Sequence, residues 1–345
     1  MPSDGAPPRA LTRPLPKVAL VTGGSGFIGS HVVRELLARG VEVRCLLLPR
    51  DAAPTLDGLD VARVAGDITD RRAVANAARG ADAIFNLAAI YALWLPRPAR
   101  MYEVNVGGTI AVMSAARDAG VPLVVHTSSI AAVGYLPGKE ISDESVAFND
   151  WDIGDGYVLS KYVSELEAMR FDGPDLQVVC VNPAFPFGAD DTAPTPTGKT
   201  VLDILRGRQP AVVEGGFNAV DVRDVAVGHV LGALHGRSGQ RYILGGENVT
   251  FADFGHRVAE RAGVRGPRFT VPAEVMLAAG RVAEAVADHV TRKPPMFTYR
   301  GAAYLAGRYV WFSTAKAERE LGYAPRPIDD AIAASVDFMR RHHGL

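Results

Sequence analysis

Tyr157 and Lys161 in the segment YVLSK stand four residues apart, a spacing that puts both on one face of a helix. A phenol with an ordinary pKa of about 10 is a poor base at neutral pH. A neighbouring ammonium and an oxidised nicotinamide both favour its phenolate and bring it toward the working range. Such a tyrosine takes the proton of a substrate alcohol or gives one to a carbonyl. Ser129, in the run Thr127-Ser128-Ser129, closes an apolar segment 28 residues before the tyrosine and is suited to hold the substrate oxygen. Lys161 would also bind the nicotinamide ribose. Ser129, Tyr157 and Lys161 are the candidate catalytic set. Tyr162 has no lysine four residues later and is expected to pack.

Gly23, Gly26 and Gly29 recur at every third residue, directly after the run KVALVT and at the opening of a helical pattern. Glycine serves there because the backbone must turn tightly and let a pyrophosphate approach amides at a helix N-terminus. Ser25, Phe27 and Ile28 complete this loop. A tight strand-to-helix turn that binds nothing is the bland reading. The strand–turn–helix context favours a dinucleotide. An acid about 20 residues on would hydrogen-bond a ribose 2′-hydroxyl, whereas an arginine would favour a 2′-phosphate. At that point the chain reads Leu47-Leu48-Pro49-Arg50-Asp51, with no acid at the strand tip and Arg50 just beyond it. The lean is to NADP(H) over NAD(H), with a solvated loop charge as the other reading of Arg50. Asp67, in AGDITD, would accept from the adenine amino group or only cap the helix that follows.

Such residues need a sheet edge and helix ends to hold them. Apolar runs at 17–22, 41–48, 61–65, 83–87, 123–127 and 178–181 alternate with helical patterns at 28–37, 71–78, 102–119 and 157–169. The runs are continuous, which suits a parallel sheet covered on both faces. The expected fold is α/β, a doubly wound parallel-sheet Rossmann domain formed by 17–183 plus about 217–248. A smaller, discontinuous, mostly helical substrate domain takes about 184–216 plus 249–345. Residues 1–16 carry five prolines and read as a disordered lead-in.

Composition sets the outer bounds. The 345 residues carry 37 Lys+Arg against 38 Asp+Glu, with a formal net charge of -1, so no basic field marks a nucleic-acid partner. No run reaches the roughly 20 apolar residues of a membrane span. Residues 271–290 are interrupted by Glu274, Arg281, Glu284, Asp288 and His289 and read as a core-facing amphipathic helix. Cys45 and Cys180 belong to no CxxC pair, which suits a reducing cytoplasm. The histidines lack metal-ligand spacing, and no metal is expected.

TGGSGFIGSH, GDITD, NLAA, NVGGT, HTSS, YVLSK and VNP follow one another in this order and resemble the extended short-chain dehydrogenase/reductases, the NAD-dependent epimerase/dehydratase family. The resemblance spans about residues 17–340. Within it, NLAAIYALW, NPAFPFGADDTAPTPTG and GQRYILGGENVTF are similar to the hopanoid-associated sugar epimerase and dihydroflavonol-4-reductase-like subgroup. The resemblance carries the family's roles onto Gly23, Gly26, Gly29, Asp67, Ala88, Ser129, Tyr157, Lys161 and Pro183, and Ile68, Leu87 and Ala89 beside them are further cofactor-binding candidates. It also implies a bracing role for Asn105 and a homodimer through the helices at 102–119 and 157–169.

The chain departs from that pattern where members acting on nucleotide sugars usually carry an arginine before VxDVA. Here GGFNAVDVRDVA has Phe217, Asn218 and Ala219 in that place. Without the cation a pyrophosphate lacks its bidentate partner, and Arg223 is expected to pair with Asp221 or Asp224. The wall beyond the strand ends is apolar and aromatic: Ile90, Tyr91, Leu93, Trp94, Phe185, Phe187 and Phe217, with Trp151 beside it. The expected activity is hydride transfer between NAD(P) and a secondary alcohol, ketone or aldehyde of a largely apolar or ring-shaped small molecule. The alternatives are a sugar or nucleotide-sugar epimerase with tightly held NAD, and a 3β-hydroxysteroid dehydrogenase-like enzyme on sterols or hopanoids. A non-catalytic NAD(P) sensor is the rival outside enzymology; an intact Ser129, Tyr157 and Lys161 argue against it.

Overall fold

The run VALVT becomes strand β1 (Val18–Thr22), with Ala19 and Val21 buried in one apolar cluster and Leu20 in another. Burial on both faces is why it reads as a continuous apolar run. The computed structural model describes residues 12–92, 94–291 and 299–345. After β1 come α1 (Phe27–Ala38), β2 (Glu42–Leu47), β3 (Val61–Ala65), α2 (Arg71–Ala78) and β4 (Ala83–Asn86). A short α3 (Ala99–Tyr102) runs through a wide helical turn at 103–108 into α4 (Thr109–Asp118), followed by β5 (Leu123–Thr127), α5 (Gly156–Met169) and β6 (Gln177–Pro183).

The chain then leaves through β7 (Phe185–Phe187), α6 (Pro196–Leu205), β8 (Ala211–Val213) and β9 (Gly216–Asp221). It returns with α7 (Val222–His235) and β10 (Gln240–Leu244). The remainder is β11 (Glu247–Thr250), α8 (Phe251–Ala262), β12 (Phe269–Val271), α9 (Ala273–Val286), α10 (Tyr299–Leu305), β13 (Tyr309–Val310), α11 (Ala315–Leu321) and α12 (Ile328–His343).

Seven parallel strands form the main sheet in the order β10-β6-β5-β4-β1-β2-β3. One face packs on α1 and α7 through Val32, Leu36, Val225 and Val230. The other packs on α2 and α4 through Val74, Val112 and Met113. Leu20, Ile84 and Phe85 are fully buried, and each side chain of that kind contributes about 1.5–3 kcal/mol by leaving water. Strand order reverses between β1 and β4, and the crevice at their carboxyl ends is where open α/β sheets take ligands. This is the expected Rossmann arrangement.

Two local expectations need correction, and one feature goes beyond them: the second region is mostly helical, but β7, β9, β11 and β13 also form a sheet of their own and β8 pairs with β12. Its central strand β9 hides this in sequence because it buries a polar residue. Asn218 donates to Asn248 Oδ1 at 2.8 Å and accepts from the Gly246 N–H at 2.7 Å. Next, α9 is not core-facing, since Val275, Val282 and Val286 are exposed and Gly280 is its one fully buried residue. No described helix is long and apolar enough to cross a membrane. Finally, the inner end of the lead-in is tied down, with the Arg13 N–H donating to the Leu234 carbonyl at 2.7 Å and Leu15 packed on the main core. The first eleven residues lie outside the described ones.

Candidate active site

Between β1 and α1 the backbone needs its glycines. Gly23 has φ +68°, and a Cβ there would lie 2.7 Å from the Ala88 nitrogen. A Cβ on Gly29 would lie 2.0 Å from the Gly23 carbonyl oxygen, which accepts from the Gly26 N–H at 3.0 Å. No side chain caps α1 and no acid stands in its first turn. The amides at Phe27 and Ile28 are therefore left for an anionic ligand, and the cradle fits a dinucleotide pyrophosphate. Ala88 is drawn against it by donating its N–H to Thr22 Oγ1 at 3.2 Å, and Thr22 in turn donates to Asn86 Oδ1 at 2.7 Å. Leu87 and Ala89 flank Ala88 at the end of β4, while Pro183 ends β6.

Asp67 does not cap α2. Asp70 does, accepting from the Arg72 and Ala73 N–H groups. Asp67 instead accepts from the Thr69 N–H at 2.9 Å and hydroxyl at 2.8 Å, with Ile68 buried beside it. Arg50 is exposed on the loop after β2. Its neighbour Asp51 accepts from Ser25 Oγ at 2.5 Å and from the Ala53 N–H at 2.8 Å. The carboxylate thus reaches the glycine loop. Its distance from the loop, 22 residues past Gly29, was the available signal.

The catalytic set meets at the carboxyl edge of β5. Ser128 continues the strand, its N–H donating to the Val181 carbonyl at 2.8 Å. Ser129 Oγ accepts from the Ala131 N–H at 3.1 Å, which turns the chain away from the sheet. Asp155 caps α5 by accepting from the N–H groups of Tyr157 at 2.8 Å and Val158 at 3.1 Å, and so fixes where the tyrosine emerges. One turn on, Lys161 Nζ donates to the Thr127 carbonyl at 2.6 Å. Burial pushes the Tyr157 phenol up to about 12, against a hydrogen bond from the Ser129 side chain that favours the phenolate. Burial pulls Lys161 down to about 8, while Glu165 works the other way. At neutral pH the site therefore holds a protonated phenol beside an ammonium ion.

Tyr91 lies over the catalytic tyrosine, ring centroids 4.7 Å apart. Tyr304 of α10 packs on the same aromatic cluster as Tyr157 and Phe148, a contact across the fold that no local sequence signal announced. Arg308 sits behind it, stacked 3.8 Å above the Tyr135 ring and bonded to Asp150 at 2.6 Å. Trp94 Nε1 donates to Asp288 at 2.9 Å, and these two share a cavity of about 400 Å³ with Leu95, Pro96, Pro98 and His289. Ile90 is held by Asn105, which accepts from its N–H at 2.7 Å and donates to Ser160 Oγ at 2.9 Å. That is the bracing expected of Asn105. Leu93 lies outside the described residues.

The other expected wall residues are placed differently. Phe187 and Phe217 are buried in the core of the second region against Phe254, where their rings fill space between β7, β9 and α8. Phe185 is half-buried and packs edge-on to Phe217. Trp151 packs edge-on to Phe148 and Tyr162, and Tyr162 stacks on Phe148 at 4.2 Å as packing residues do. Arg223 is taken up by Asp221, its Nη2 2.6 Å from the carboxylate. Among the described residues no group of three His, Cys, Asp or Glu is placed to hold a metal ion.

The model of the NAD dependent epimerase/dehydratase family matches residues 19–245. A putative dihydroflavonol 4-reductase of Synechocystis sp. is 35% identical over 93% of this chain and 94% of its own. Sterol demethylase protein B of Methylococcus capsulatus is 35% identical over 93% of this chain and 98% of its own. The crystal structure of gox2253 has a TM-score of 0.84 at 38% identity, covering 94% of this chain and 98% of that one. By sequence and by fold alike, the chain belongs to the NAD dependent epimerase/dehydratase family and is an enzyme of the extended short-chain dehydrogenase/reductase type.

Proposed function

We propose that this enzyme moves hydride between a nicotinamide dinucleotide and the carbinol carbon of a largely apolar, ring-shaped secondary alcohol or ketone, with Tyr157 as general acid/base. The observation that carries the reading is the Tyr157 phenol on the helix that also holds Lys161, whose Nζ donates to the Thr127 carbonyl at the edge of β5, with the Tyr91 ring facing the phenol. When bound, the nicotinamide supplies or accepts the hydride. In reduction, Ser129 orients the carbonyl oxygen and Tyr157 gives it a proton as the carbon gains hydride. In oxidation, Tyr157 takes the alcohol proton, and the Lys161 ammonium stabilises the phenolate that receives it.

Arg223, already bound to Asp221, is not free to grip a pyrophosphate, which supports an uncharged substrate over a nucleotide sugar. The named activity of the sterol demethylase relative supports a polycyclic alcohol of sterol type. Asp51 beside Ser25 supports NAD(H), because a carboxylate there repels a 2′-phosphate; exposed Arg50 supports NADP(H). We favour NAD(H). Exposed Tyr102, Ile110 and Leu166 on the α3–α4 and α5 surfaces support a homodimer.

The test is a panel of cyclic alcohols and ketones, sterols included, followed by nicotinamide absorbance. Net turnover with the apolar ring substrates is the expected result. Bound cofactor with no net turnover, but interconversion of sugar epimers, would replace this reading with epimerisation.

A further inference from the structure

We propose that Glu165 is the counter-charge that keeps Lys161 an ammonium ion in its buried position, with Asn182 and Arg241 fixing that carboxylate in place. The inference rests on the reading of Tyr157 and Lys161 as the reactive pair. Lys161 and Glu165 are 4% and 5% exposed, and their four-residue separation on α5 makes them neighbours on one helix face. A buried ammonium is expensive unless an anion and hydrogen bonds offset its lost hydration. Thr127 supplies one carbonyl to Lys161 Nζ.

The titratable groups facing Lys161 come from four elements. His126 on β5 and His229 on α7 are both held low by burial, His126 well below its ordinary value and His229 at about 4. The structure gives His229 a reason to stay neutral, since its Nδ1–H donates to the Val225 carbonyl at 2.7 Å and its Nε2 accepts from the Thr127 hydroxyl at 2.8 Å. Cys180 on β6 is a thiol whose pKa burial pushes well up. Tyr157 on α5 is a neutral phenol. Of the groups named, Glu165 alone brings negative charge.

Its carboxylate is held at both oxygens. Asn182 Nδ2 donates to Oε2 at 2.6 Å, and Arg241 Nη1 donates to Oε1 at 3.0 Å. Arg241 is itself anchored, its Nη2 donating to the carbonyls of Glu144 at 2.6 Å and Val146 at 3.2 Å. Asn182 Nδ2 also donates to the Ser129 carbonyl at 2.9 Å, so one amide spans the serine loop and the helix that carries Tyr157 and Lys161. Glu165 is thus a positioning residue that acts through Lys161. A role limited to bracing Arg241 would leave the lysine's protonation untouched.

The chain has six lysines, at 17, 139, 161, 199, 293 and 316, few enough to follow singly. In the ligand-free full chain, lysine labelled with carbon-13 at Cε is titrated by NMR, and the Lys161 signal is assigned by its loss in Lys161→Arg. Glu165→Gln should lower the Lys161 midpoint by at least about one pH unit, a tenfold loss of proton affinity, while Lys17, Lys139 and Lys199 keep theirs. Glu165→Asp, which retains the charge, should restore most of the difference. Arg241→Gln removes the cation that shares the carboxylate and should raise the midpoint. An unmoved midpoint in a folded Glu165→Gln protein overturns the proposal. So does an Asp variant that shifts as far as the Gln variant, or a fall in Arg241→Gln, which remains readable if Glu165→Gln does not fold. Neither cofactor nor substrate is present, so this failure is distinct from failure of the reaction assignment, which turnover by Tyr157→Phe decides.

Discussion

Replacing Lys161 with methionine should stabilise the fold while disabling the site. Burial lowers the lysine from its ordinary 10.5 to about 8. At about 1.36 kcal/mol per pH unit, that is about 3 kcal/mol of stability forgone below pH 8. The sign follows from proton counting. Between the folded value near 8 and an unfolded value of about 10.4, the unfolded chain binds more protons than the folded one. Wild-type stability therefore rises with pH through that window, and below it the full penalty stands. Methionine keeps the length of the stem and has no proton to lose. Against the gain stands the bond to the Thr127 carbonyl, where loss of a charged donor costs about 1.5–3 kcal/mol. The net gain at pH 7 is then on the order of 1 kcal/mol, or a few degrees in Tm. The assay is thermal unfolding of the ligand-free protein at pH 7 and at pH 10. The variant should melt higher at pH 7 and lose that advantage at pH 10, with turnover lower by a factor of about 10²–10⁴. A variant less stable than wild type at pH 7, or a gain independent of pH, would refute the buried-ammonium argument.

Gly29→Ala brings a Cβ to 2.0 Å from the Gly23 carbonyl and should abolish dinucleotide binding in a fluorescence titration; an unchanged Kd would contradict the assigned cradle. Asp51→Asn removes the negative charge at Ser25 and should improve NADP(H) affinity relative to NAD(H) by about tenfold, the effect of roughly 1.4 kcal/mol; equal ratios in the two proteins would leave Asp51 without a ribose role. Leu166→Glu places a charge on the exposed face of α5 and should convert a dimer to monomer by light scattering, an outcome excluded if wild type is already monomeric.

The parts legible in the sequence were those set by local backbone or helix geometry. Gly23 and Gly29 have no tolerable alternative where the chain folds against Ala88 and itself, and the spacing of Tyr157 and Lys161 is fixed by helix pitch. Continuous apolar runs identified the main sheet because both its faces are covered. The misses share a different cause. Phe187 and Phe217 were expected in loops beyond strand ends, but they lie within β7 and β9, where α8 packs over them through Phe254, a contact made only in three dimensions. Tyr304 joins Tyr157 from α10 without any motif of its own. Asp51 stands beyond the end of β2, and only the return of that loop onto Ser25 brings its carboxylate to the glycine loop. Asn218, a buried polar residue within β9, broke the apolar pattern that would have marked its strand.

The central claim is that the Tyr157 phenol carries the proton that accompanies hydride transfer. A single-turnover measurement of nicotinamide absorbance tests it, using a cyclic secondary alcohol or ketone that the wild-type enzyme turns over. Tyr157→Phe removes one oxygen and keeps the ring against Tyr91, so binding of the dinucleotide should persist. The account predicts a hydride-transfer rate lower by about 10²–10⁴ with cofactor affinity unchanged. An undiminished rate in that variant would contradict it.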